Sequence, residues 1–146
     1  MMNGGWTSSR ERKDESIFPL STGDNEPFSW RHFLNTARNL SQSTDEASLR
    51  TAVSRAYYAA FHEARAYLAR FNKLEQGSEH EKVWRAFDRP TDRRQYREIW
   101  TWGTRLRKAR VEADYHLEGR LDWISQCSSQ IRAAEKIIEL VASLPQ

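Results

Sequence analysis

The chain has 146 residues, enough for one domain with a real core, although only 38% of them are hydrophobic. Six tryptophans bring the aromatic share to 12%, so a few large side chains must carry much of the burial. Its net charge is only +3, its single cysteine (Cys127) excludes an internal disulfide and a cysteine-cluster metal site, and no apolar run approaches the ~18–20 residues of a membrane span. Polar sequence follows Met1 without a signal-peptide core, so the expectation is a cytoplasmic protein with no membrane association.

Residues 1–27 are rich in Gly, Ser, Asp and Glu, with Trp6, Ile17, Phe18 and Leu20 at no regular period. They read as a disordered or loosely packed tail, leaving residues 28–146 as the folded domain. Ser29 is placed to cap a helix whose face is Trp30, Phe33, Leu34, Ala37 and Leu40, with His32 off that face and exposed. After the polar turn Ser41–Thr44, the region from Asp45 to Phe71 contains neither Gly nor Pro. Apolar residues recur at Leu49, Ala52, Val53, Ala56, Tyr57, Ala60, Phe61, Ala64, Tyr67, Leu68 and Phe71, which is the spacing of a helix with one wide buried stripe. At 1.5 Å per residue it would run roughly 40 Å, long enough to be the spine of the domain. Tyr58 and, four residues on, His62 belong to this helix; a lone helical histidine is most often structural.

Gly77 marks a break, and a short helix follows from about Glu79 to Phe87 with Val83, Trp84 and Phe87 inward. From Asp92 a second long helix turns Tyr96, Ile99, Trp100, Gly103, Leu106, Ala109 or Arg110, and Ala113 toward the core. Gly103 inside it either permits close helix approach or marks a kink. His116-Leu117-Glu118-Gly119 reads as a stop. The last helix starts near Leu121, presents Ile124, Cys127, Ile131, Ala134, Ile137, Ile138, Val141 and Leu144, and ends at Pro145. With no alternating strand pattern, the expected fold is all-α: an antiparallel up-down bundle of four main helices plus one short one.

Charge is concentrated in residues 82–110, where ten basic residues face three acidic ones, a balance of +7. A charge run is usually a solvated helix face. Here, however, Arg93, Arg94, Arg97, Arg105, Arg107 and Lys108 are interleaved with Tyr96, Trp100 and Trp102, which suits phosphate backbones and unstacked bases. Arg110 and His116 end the segment. On an unbroken helix they would diverge by about 120°, so they converge only if the helix ends near Asp114–Tyr115. A permanent cation beside a group titrating near neutrality then suffices to cleave RNA through its own 2′-hydroxyl. The plainer alternative is an Arg110–Asp114 pair at i, i+4 with His116 exposed and idle. Four scattered histidines give no metal-ligand spacing, and no cofactor is implied.

Ser54–Leu68 (SRAYYAAFHEARAYL) on the spine helix, followed by Arg110–His116 (RVEADYH), resembles the HEPN superfamily of small all-helical prokaryotic proteins. The resemblance covers about Phe28 to Leu144. It implies an RNase motif of arginine, four to six residues and histidine, which maps onto Arg110 and His116, with Asp114, Tyr115, Tyr58 and His62 in support. It also implies a homodimer, RNA or a nucleotide as ligand, and a toxin paired with a nucleotidyltransferase antitoxin or a role in phage defence. Val111 stands where the family often has a polar residue, and Glu118 where some toxins carry the tyrosine their antitoxin modifies. The subgroup with the Ala-Asp-Tyr pattern contains members with no established activity, so a non-catalytic module binding nucleotide, RNA or a partner protein is the second expectation.

Overall fold

A computed structural model describes residues 26–71, 73–74, 80–88, 93–118 and 122–145. The tail over residues 1–25, the break around Gly77, the Arg89–Asp92 connection and Gly119–Leu121 lie outside the described residues. Five helices and no strand are present among the described residues: α1 (His32–Leu40), α2 (Glu46–Arg70), α3 (His80–Arg85), α4 (Arg94–Tyr115) and α5 (Trp123–Ala142). The all-α bundle expected from the sequence is therefore the fold.

The spine is α2. Asp45 caps it by accepting from the Ser48 amide at 2.9 Å, and Arg70 complements the dipole in its last turn. Every position of its predicted stripe from Leu49 to Leu68 is buried, Phe71 at the C-cap is half-buried, and Ala59 and Ser54 are buried too. Eight alanines in this helix (five of them buried) keep its surface flat, so α1, α3, α4 and α5 all pack on it. Side-chain pairings fix the directions. Arg50, near the start of α2, reaches the end of α4, whereas Tyr67, near its end, meets Tyr96 near the start of α4. The two helices are antiparallel. Arg50 also lies over Trp123 and Tyr67 bonds the Pro145 carbonyl, so α5 runs parallel to α2, as an up-down order requires.

Gly103 is a point of close approach. A Cβ there would stand 2.1 Å from Cε3 of Trp84, so only glycine lets the buried indole of α3 lie against α4. The contact fastens a six-residue helix that could not hold itself.

Four side chains depart from the expected faces. Ile124 is 59% exposed because its neighbour Trp123 takes the buried place under the Arg50 guanidinium. Trp100 is 37% exposed, since Gly103 and Ile99 hold the face toward α3 and α2 while Trp100 borders a cleft. Trp30 is also at the surface, stacked on His62. His32 is half-buried rather than exposed: its Nδ1 accepts from the Ser29 amide, closing the turn that leads into α1.

Candidate functional site

The face of α2 that meets the second half of α4 carries Ser54, Tyr57 and Tyr58, spaced i, i+3, i+4, so the three lie together on that face. Opposite them α4 presents Arg107, Arg110 and Asp114 at the same kind of spacing. Arg110 is 6% exposed, which is rare for a guanidinium. It sits over the rings of Tyr57 (5.2 Å), Tyr58 (5.7 Å) and Tyr115 (5.9 Å). Its Nη1 lies 3.6 Å from Asp114 Oδ2, which also accepts from the Ser54 hydroxyl at 3.2 Å. One long ion pair and three π faces are thin compensation for burying a full charge. Arg110 Nε has no hydrogen-bond partner among the described residues, and neither does the buried Nε of Arg107 one turn earlier. Arg107 and Arg110, one turn apart on α4, bring two fixed positive charges to the same face, which suits an anion.

Helix α4 ends at Tyr115, as convergence of Arg110 and His116 requires. His116 is its C-cap, with extended backbone (φ −104°, ψ 110°) and an amide that still donates to the Glu112 carbonyl. The stop is enforced from α2. Arg50 donates to the carbonyls of Ala113 (3.1 Å) and His116 (2.7 Å), with longer contacts to those of Glu112 and Leu117. Carbonyls that a helix end leaves orphaned are thus gathered by one guanidinium. The His116 side chain is exposed, and no hydrogen bond or ion pair joins it to Arg110 among the described residues. Tyr115 beside it is 72% exposed.

The supporting residues divide. Tyr58 belongs to the cluster, between Arg110 and Arg55. His62 does not touch Arg110; it stacks on Trp30 with centroids 3.6 Å apart, and burial pushes its imidazole below the ordinary value, with Arg65, His80 and Arg55 adding to the effect. His80 was not anticipated. Its Nδ1 is 2.8 Å from the Tyr57 hydroxyl, which accepts from Trp84 Nε1 at 3.0 Å, and its ring stacks on Phe61. Burial drives the Tyr57 phenol well above its usual range, against the opposing Trp84 bond and the nearby Arg110 and Arg107 charges. The phenol therefore stays protonated while it shares a hydrogen bond with His80. A tyrosine in an apolar stripe signals a buried hydroxyl in need of partners, but the sequence does not say that α3 supplies them.

The cations of α4 form two groups. Arg93 is at its N-cap, Arg94 pairs with Glu98 at 3.1 Å, Arg105 lies over Trp102, and Arg97 and Lys108 are exposed. A cleft of about 380 Å³ runs along Arg94, Arg97, Thr101, Trp102 and Arg105. On the other flank a cleft of about 320 Å³ opens between α3 and α4, bordered by Trp84, Trp100, Thr104 and Arg107. Arg107 links this second cleft to the Arg110 cluster. Among the described residues no group of three metal-binding side chains occurs, and no helix is long and apolar enough to cross a membrane.

The model of the HEPN domain matches residues 31–144, which is α1 through the end of α5. The chain belongs to the HEPN-domain family. The comparisons with curated proteins and with solved structures give no match.

Proposed function

We propose that this protein is a metal-independent endoribonuclease of HEPN type, serving as the toxin of a toxin–antitoxin pair or in phage defence. The observation that carries the reading is the buried Arg110, held on three tyrosine rings with its Nε–H unpartnered, just ahead of the helix end that releases His116. In the proposed reaction the ribose 2′-oxygen attacks the adjacent phosphorus. His116 takes the hydroxyl proton, Arg110 stabilises the charge growing on the phosphoryl oxygens, and the His116 imidazolium returns the proton to the 5′-oxygen as its bond to phosphorus breaks, giving a 2′,3′-cyclic phosphate. Arg107 adds a second donor, and the outer row of Arg93, Arg94, Arg97, Arg105 and Lys108 attracts the flanking phosphates.

One observation favours a second reading. Arg110 contacts Asp114 while His116 makes no contact with it, which is the arrangement of a non-catalytic module binding RNA, a nucleotide or a partner protein. Cleavage decides between them. Purified protein in chelator should cut single-stranded RNA, His116→Ala should lose about 10²–10⁴ in rate, and Arg110→Lys about 10²–10³, because a point charge lacks the fork geometry. RNA binding should persist in His116→Ala. Equal cleavage by wild type and both variants would expose a contaminant, and intact RNA with the wild type would leave the binding module.

A further inference from the structure

The cleft between α3 and α4 has a floor, a wall and two unspent charges. Its floor is the Trp84 indole, kept against α4 by the missing Cβ of Gly103. Its wall is Trp100, whose indole is partly open to solvent. At the rim Glu81 and Arg85 pair with each other and so neutralise one another. What remains is Asp88, whose carboxylate makes no ion pair or hydrogen bond among the described residues, and Arg107, whose buried Nε is likewise unpartnered. The two line the same cleft without pairing with each other. A volume of about 320 Å³ is at the small end of ligand pockets and suits a single nucleotide.

We propose that this cleft is a base-binding pocket selecting an unpaired guanine, with Asp88 reading the base and Arg107 holding its phosphate. The proposal deepens the RNA reading above by giving it a specificity. An ionised carboxylate only accepts, through two oxygens side by side. Guanine presents two N–H donors side by side on its Watson–Crick edge, N1–H and N2–H₂. Adenine and cytosine each set an acceptor beside their amino group, and uracil has a single N–H between two carbonyls. A purine ring also covers the Trp100 face better than a pyrimidine, and such stacking is how unstacked RNA bases are bound. Arg107 lines the cleft and sits at i, i+3 from Arg110, so a phosphate held by Arg107 would lie one helical turn from the Arg110 cluster. Thr104 keeps its hydroxyl hydrogen on the Trp100 carbonyl at 2.7 Å, which leaves the oxygen free to accept from the ligand.

The test is calorimetric titration of the full chain with GMP, AMP, CMP and UMP, beside cleavage of an oligouridine carrying one central guanosine. GMP should bind about tenfold or more tighter than the other three, the discrimination one bidentate contact provides. Asp88→Asn should erase the preference and leave AMP binding unchanged. Trp100→Ala should weaken every nucleotide, and Arg107→Met should weaken GMP while sparing guanosine. Both Asp88 and Trp100 are exposed enough that these variants fold. Equal binding of the four nucleotides, no binding of any, or an Asp88→Asn variant that still prefers GMP would overturn the pocket. GMP selectivity in a protein that cuts no RNA would sustain the pocket and sink the nuclease. Cleavage at every linkage without nucleotide selectivity would do the reverse.

Discussion

On the proposed function, stability and activity pull in opposite directions at Arg110. A guanidinium with one contact at 3.6 Å to a carboxylate does not recover what its desolvation costs. Arg110→Met, close in volume and free of charge, should therefore melt at the same temperature as wild type or higher while losing RNA cleavage; a clear fall in melting temperature would show that the charge is needed for the fold. His62 predicts a pH effect. Its folded value lies below its ordinary 6.5, so the unfolded chain binds the extra proton first, and stability should be complete above about pH 6.5 and decline as pH falls below it. His62→Phe, which keeps a ring to stack on Trp30, should flatten that part of a melting-temperature profile between pH 8 and pH 5. Gly103→Ala should lower the melting point by several degrees. The ~1 kcal/mol gained in helix propensity is outweighed by ~1–3 kcal/mol of overpacking against Trp84.

Among the elements, the helices were legible because their pattern is local. Asp45, the alanine-filled stripe to Leu68 and the isoleucines of α5 state their own periodicity. Boundaries set by a neighbour were harder. That α4 stops at Tyr115 was inferred from the motif and from the sequence after it, while the agent that stops it, Arg50, lies more than 60 residues away and looks on its own like an ordinary surface cation paired to Glu46. His80 was hidden for the same reason: its role depends on Tyr57, in another helix. Trp100 and Ile124 each fit a helical stripe, but a stripe does not tell which of two adjacent large residues wins the core. The importance of Arg50 is measurable. Arg50→Ala should lose ~2–4 kcal/mol in chemical denaturation, since it removes charge-assisted bonds to several carbonyls and its cover over Trp123. Cleavage should fall more steeply than the folded fraction does, because His116 loses its fixed departure from the helix. Arg50→Lys should recover part of the stability and less of the activity.

For the whole molecule, three of the six large apolar side chains exposed among the described residues gather near one end. Tyr115, Leu117 (90% exposed) and Ile124 surround the end of α4 and the start of α5, next to His116. On the proposed reading two chains meet there and set two arginine–histidine pairs across a cleft. Light scattering should then give about twice the 17.2 kDa of one chain, and Leu117→Asp should return the mass to a single chain without altering the helical signal. A single-chain mass for the wild type at all micromolar concentrations would remove the composite cleft. The Arg50 clasp has one more consequence, in the domain of exchange with solvent. The last turn of a helix ordinarily frays, and its amides trade hydrogen for deuterium through openings that cost almost nothing. The amides from Ala113 to His116 are different: their turn opens only when α2 releases α4, so they should exchange as slowly as the centre of the spine, with the slow rate ending abruptly beyond Leu117.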